Sequence, residues 1–124
     1  MTSLIKNAKE KIESDGWVYL IGSKAGESGL FKVMPNGGQA KLLYKCNIEP
    51  TFFSNTLKSI WKVEDGWVYF QVNSAIYREK DNPDDPYSEY TSYVDYIGYK
   101  IKPDGTELTE ASRISAVAGL FTKP

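Results

Sequence analysis

Asp65-Gly66-Trp67-Val68-Tyr69 repeats, residue for residue, the stretch Asp15-Gly16-Trp17-Val18-Tyr19 fifty positions earlier. Repetition at a fixed offset says that the chain builds one unit more than once, which constrains architecture before any single residue is read. Asp-Gly is a two-residue hairpin signal, and its flanks are β-rich: Ile60, Trp61 and Val63 precede the second copy, and Trp67 to Val72 follow it. A second match lies downstream, where Phe31-Lys32-Val33-Met34-Pro35-Asn36-Gly37 corresponds to Tyr99-Lys100-Ile101-Lys102-Pro103-Asp104-Gly105. Its offset is sixty-eight, so the second copy carries an insertion between Val72 and Tyr99. In both triplets proline suits position i+1 of a type I turn and glycine is free to take positive φ next, which predicts a hairpin with a glycine bulge. Tyr99 to Lys102 and Glu107 to Glu110 alternate apolar with polar at period two, the pattern of half-buried strands.

Each copy therefore reads as a four-stranded antiparallel meander shaped like a propeller blade. The expected fold class is all-β, in one domain over 1–124, with one copy over about 9–45, a second over about 58–111 and the insertion at about 73–95. The leading strand of the first copy, Lys9 to Ser14, offers only Ile12 as an apolar residue, and aligning it with Val63 takes a slip of one position. A short helix capped by Thr2 or Ser3, with Leu4, Ile5, Ala8 and Ile12 on one face, competes with it. At the other end, Ile114, Val117, Gly119, Leu120 and Phe121 read as a vestigial third start or as a strand completing the first copy.

Asp-Gly-Trp-Val-Tyr, followed by an aromatic-Lys-aliphatic strand and Pro-Asp/Asn-Gly, resembles the repeats of a bacterial domain-of-unknown-function family similar to the β-propeller of low-density lipoprotein receptor-related protein. The likeness covers about Asp15 to Tyr44 and Ile60 to Leu108. It implies propeller-like β-repeats, and it implies no activity and no catalytic residues. Two blades cannot close a ring, because propellers use about four to eight. Exposed blade faces and strand edges then need cover, either from further copies that complete a ring or from the two meanders packing as a sandwich or partly closed barrel; the third reading is a fragment or degenerate descendant of a larger propeller. A homo-oligomer is the expectation.

Composition removes whole classes of chemistry. There is no histidine, which excludes imidazole acid-base catalysis and every His-containing metal site. The single Cys46 excludes an internal disulfide, and with no base to pair with it the thiol reads as half-buried rather than nucleophilic. A net charge of −1 on 124 residues supplies no field for nucleic acid or an anionic membrane. Lysines interrupt the amino terminus, leaving no secretory apolar core, so the expected location is cytoplasmic by default. Adjacent acids such as Asp84-Asp85 or Glu64-Asp65 point to opposite faces of a strand, poor geometry for shared acid-base work. Gly22, Gly26 and Gly29 flank a loop over Ser23 to Ser28 with no P-loop lysine pattern after it, which reads as a hairpin loop. The expectation is a protein that is not an enzyme and carries no cofactor.

Binding remains. Between Glu79 and Asp95 stand six acids and one lysine, together with Tyr87, Tyr90 and Tyr93, and Tyr96 follows directly. Tyrosine gives amphipathic contact area at low entropic cost, and a long loop inside a compact domain is commonly functional. Tyr87, Tyr90, Tyr93 and Tyr96 with Asp84 and Asp85 form the predicted contact surface for a protein partner or for further copies of the chain. Trp17 and Trp67, at a fixed repeat position, read as packing residues, whereas Trp61 reads as the surface indole. The second reading is a carbohydrate-binding module that stacks sugar on Trp61. A calcium site in Asp81-Asn82-Pro83-Asp84-Asp85 lacks the EF-hand ladder, and an Asx-Pro turn is the simpler account.

Overall fold

The computed structural model describes residues 5–118, and every regular element in them is a β-strand. The first sheet follows the chain: β1 (Lys6–Ser14), β2 (Trp17–Lys24), β3 (Glu27–Val33) and β4 (Lys41–Lys45). The second holds β5 (Thr56–Glu64), β6 (Trp67–Asn73), β7 (Tyr77–Lys80), β8 (Tyr90–Ile101) and β9 (Thr109–Val117). Neighbouring strands are antiparallel throughout. One edge of β8 pairs first with β7, over Tyr90 to Tyr93, and then with β6, over Tyr96 to Ile101, while β9 runs along its other edge. β6 and β7 thus form one interrupted strand, and the second sheet is a meander of four columns.

The turns adopt the conformations their residues favour. Asp15-Gly16 and Asp65-Gly66 have positive φ at both central positions, as a tight hairpin between right-twisted strands requires. After Pro35 and Pro103 the Gly37 and Gly105 amides donate back to the Met34 and Lys102 carbonyls at 2.8 Å, and both glycines have positive φ. The expected glycine-bulged hairpins are present.

Several sequence expectations are corrected. The amino-terminal stretch is strand rather than helix: β1 stays on β2 through two bulges in which Asn7 and Glu10 take positive φ. Residues 1–4, including Thr2, Ser3 and Leu4, lie outside the described residues. No slip aligns Ile12 with Val63, because Ile12 pairs with Tyr19 as Lys62 pairs with Tyr69. The hairpin expected over Ser23 to Ser28 is present, but its loop is only the Ala25-Gly26 turn, since β2 and β3 pair through Lys24 and Glu27. The insertion is a hairpin, β7 and β8, whose irregular parts are the short break at 74–76 and the tip at 81–89. Ile114 and Val117 belong to β9 and complete the second sheet rather than the first, while Gly119, Leu120 and Phe121 lie outside the described residues.

The two meanders share their irregularities as well as their turns. The bulges of β1 on β2 recur on β5 and β6 at the same offset of fifty. The break between Leu30 and Phe31 on β4 recurs between Gly98 and Tyr99 on β9 at sixty-eight. Yet the sheets turn opposite sides to each other. The first contributes Tyr19, Ile21 and Leu30 to the shared core, and the second contributes Val68, Phe70, Val72 and Ile101. Within the pentapeptide, then, Tyr19 points inward in one sheet and Val68 in the other. Tyr44 of β4 crosses the gap to pack on Phe70 and Tyr99, with ring centroids 5.0 and 5.9 Å away. The far side of the first sheet carries a smaller buried cluster, Leu20, Phe31 and Val33, with Ile5, Ala8 and Leu42 packed against it. Ile5 occupies the space a Cβ on Gly22 would fill. The stack is head-to-tail: the tryptophan side of one layer meets the valine side of the next.

Candidate functional site

That arrangement leaves the tryptophan side of the second sheet facing outward. Trp67, Tyr69, Gln71 and Asn73 of β6 lie on it half-buried, beside Tyr96 and Lys100 of β8. The corresponding residues of the first sheet, Tyr19, Ile21 and Leu30, are core; Gln71 and Gly98 stand where Ile21 and Leu30 would be. Replacing two aliphatic groups by an amide and a hydrogen is what a wet face demands. Lys100 and Lys102 place their ammoniums 4.3 and 4.4 Å from the Trp67 ring centre, and Lys62 covers Tyr69 at 4.8 Å. Lys32 covers Trp17 in the same way at 4.5 Å, although Trp17 also packs against the shared core and Trp67 does not.

Trp61 sits at a bulge of β5, the extra residue between the Ile60–Phe70 and Lys62–Tyr69 pairs. The bulge aims its indole across the outer face, where ring carbons lie 2.8 and 2.9 Å from the place a Cβ on Gly98 would take. Only glycine there admits the ring. Trp61 remains 48% exposed, and Ile114 of β9, paired with Tyr96 on the same face, is 65% exposed. Sequence reasoning missed Ile114 because β9 reads as polar, with isolated apolar residues.

The four predicted tyrosines do not form one surface. Residues 87, 90, 93 and 96 are spaced by three, and on a strand an odd step changes face. Tyr90 and Tyr96 lie on the outer face, with Arg78 over the Tyr90 ring at 4.9 Å. Tyr93 lies on the opposite face and stacks on Tyr77 at 5.9 Å. Tyr87 projects from the hairpin tip, 91% exposed. Asp85 accepts a hydrogen bond from the Tyr87 amide at 2.9 Å, Asn82 from the Asp84 amide at 3.2 Å, and Thr91 donates to Asp81. Asp81 and Asp85 are thus engaged in shaping the turn, and among the described residues no group of three or more acids or thiols is placed to hold a metal.

Asp95, counted at first only as an acid of the insertion, is the polar hub of the second sheet. Tyr77 and Ser115 hydroxyls donate to its Oδ1, each at 2.7 Å, and Arg113 donates to Oδ2 at 2.6 Å. Its amide donates to the Ser74 hydroxyl, and the Ser74 amide donates to its carbonyl, both at 2.8 Å. These bonds span the break between β6 and β7. The Ser115 hydroxyl first, then Tyr77 and the Arg113 guanidinium, hold the Asp95 carboxyl below its usual range. It is ionised and fully bonded, a poor proton acceptor. Burial pushes the Cys46 thiol up, and its Sγ donates to the Asn55 carbonyl at 3.6 Å.

The same break opens a cavity of about 460 Å³ at the Asn73–Tyr96 end of the outer face. Ile76, Val94 and the exposed Phe52 line it together with Lys58 and Ser92. The β4–β5 connection is tied there by the Ile76 amide, which donates to the Phe52 carbonyl at 3.1 Å, and by the Ala75 amide on Asn55. No turn or periodicity signal in 46–55 marks it beforehand. Among the described residues no helix is long and apolar enough to cross a membrane. Comparison of the chain with protein-family models, with curated proteins and with solved structures found no match.

Proposed function

We propose that the chain is a non-catalytic assembly module made of two duplicated, blade-like units, and that it associates with a second copy of itself through the outer face of its second sheet. One observation carries this reading: the tryptophan side of a layer, buried in the first sheet, is left outward in the second, with Trp61 and Ile114 substantially exposed. Apolar groups grouped on one rigid face, rimmed by lysines, are the make-up of a contact surface. A head-to-tail ring would need a second open face, and on the far side of the first sheet Leu20, Phe31 and Val33 are already buried. The association is therefore two-fold, face on like face. The shared irregularities and the sequence resemblance to propeller repeats support the duplicated-blade reading.

Light scattering across a concentration series tests it. The expected mass is twice the 14.0 kDa of one chain, falling to a single chain in a Trp61→Ser, Ile114→Lys double variant of unchanged circular dichroism. A wild-type chain that stays single at every concentration sinks the reading. The alternative, sugar stacking on Trp61, is favoured by the indole's exposure alone; it would show as a shift in tryptophan emission when soluble glycans are added.

A further inference from the structure

We infer that the cavity between the broken β6–β7 strand and the β4–β5 connection binds a small amphipathic carboxylate, an aromatic or branched apolar body bearing one anionic group. Its size lies within the range of small-molecule sites, about 300–1,000 Å³. Phe52, Ile76 and Val94 supply an apolar bed, and Tyr96 adds a ring along one wall. Charge sets the class of ligand. Among the described residues Lys58 is the one ionisable cation in the lining, no acidic side chain accompanies it there, and it takes part in no ion pair. Two further polar groups have donors to offer: the Ser92 hydroxyl is in no hydrogen bond among the described residues, and the Asn73 amide uses only its oxygen, accepting from Gln71 at 2.8 Å; the Thr51, Thr56 and Ser74 hydroxyls of the lining are engaged by Phe53, Asn47, and Ala75 and Asp95. A lone ammonium with neutral donors over an apolar bed matches a carboxylate better than an amine or a neutral polar molecule.

Built structure, rather than chance roughness, holds the cavity open. The gap between β6 and β7 is bridged by paired bonds between Ser74 and Asp95, and the rim is fixed by the bond from Ile76 to Phe52. The wall is thus formed before a ligand arrives, so little ordering cost attends binding. The cavity lies at one end of the face proposed for self-association, so binding is recorded on the single-chain Trp61→Ser, Ile114→Lys variant as well as on the wild-type chain, and the two proposals then fail separately.

The probe is 4-phenylbutyrate, compared with 4-phenylbutanol and 4-phenylbutylamine, with amide chemical shifts recorded on the intact chain. The expected result is saturable shifts around Phe52, Ile76 and Val94 with the acid, and binding of the alcohol weaker by about ten-fold or more. Lys58→Met should bring the acid down to the affinity of the alcohol, and Ser92→Trp, which fills the cavity from β8, should remove both. Melting temperature verifies that each variant is folded; a Ser92→Trp chain that fails to fold leaves Lys58→Met to decide. No saturable shift with the acid at millimolar concentration overturns the inference. So does an amine that binds as well as the acid, or a Lys58→Met chain that binds the acid undiminished.

Discussion

At position 25 an alanine holds a φ of 53°, at a hairpin turn where the two other tight turns place Asp15 and Asp65. Side chains with a plain Cβ pay about 1–2 kcal/mol in the left-handed region, and asparagine pays less because its amide bonds locally. Ala25→Asn should therefore stabilise the chain by about 0.5–1 kcal/mol, raising the melting temperature by about 2–5 °C; no rise in a thermal scan would refute the strain. The Asp-Gly turns were legible in sequence because their chemistry is written in the two residues themselves. Ala-Gly was not, because nothing about alanine announces positive φ, and only the register of the flanking strands imposes it.

Among the elements, the β7–β8 hairpin hangs on Asp95. Its carboxyl is held below the usual range, so the folded state releases a proton that the unfolded chain keeps near pH 4. The sign follows: stability from these bonds is present above the unfolded value of about 3.9 and is lost as pH falls through the lower, folded one. Hydrogen exchange on acidification should show Tyr77 to Lys80 losing protection before β6 does. Asp95→Asn should lower protection there about ten-fold or more at neutral pH while flattening its acid dependence. Uniform loss over both sheets would mean the hub is not local. This hairpin escaped the sequence reading for a definite reason: tyrosines at 87, 90, 93, 96 and 99 follow a period of three, which belongs neither to a strand with one wet face nor to a helix. A strand with rings on both sides produces it, and the rings cannot then serve one surface together.

For the whole molecule, the layers depend on each other through Phe70, fully buried against Tyr44 of the first sheet and Tyr99 of its own. Phe70→Ala should cost about 3–5 kcal/mol, and denaturant unfolding should remain one transition by tryptophan emission and by circular dichroism alike. Two separated transitions would mean the sheets fold independently. That two β-units exist could be read from the duplicated pentapeptide. Which side of each faces the core could not, since identical residues are used in opposite senses; the only trace was the exchange of Ile21 for Gln71 and Leu30 for Gly98. Unlike-face stacking also gives the pair a direction, as with nested saucers. The operation that placed the second layer on the first contains no instruction to stop, and a third layer could be added by the same step. What checks that repetition is local chemistry: Ile5 packed on one end, and, on the other, an amide, a missing side chain and lysines over the rings where the valine side of a further layer would have to seat, which leaves that face to the like-on-like contact proposed above.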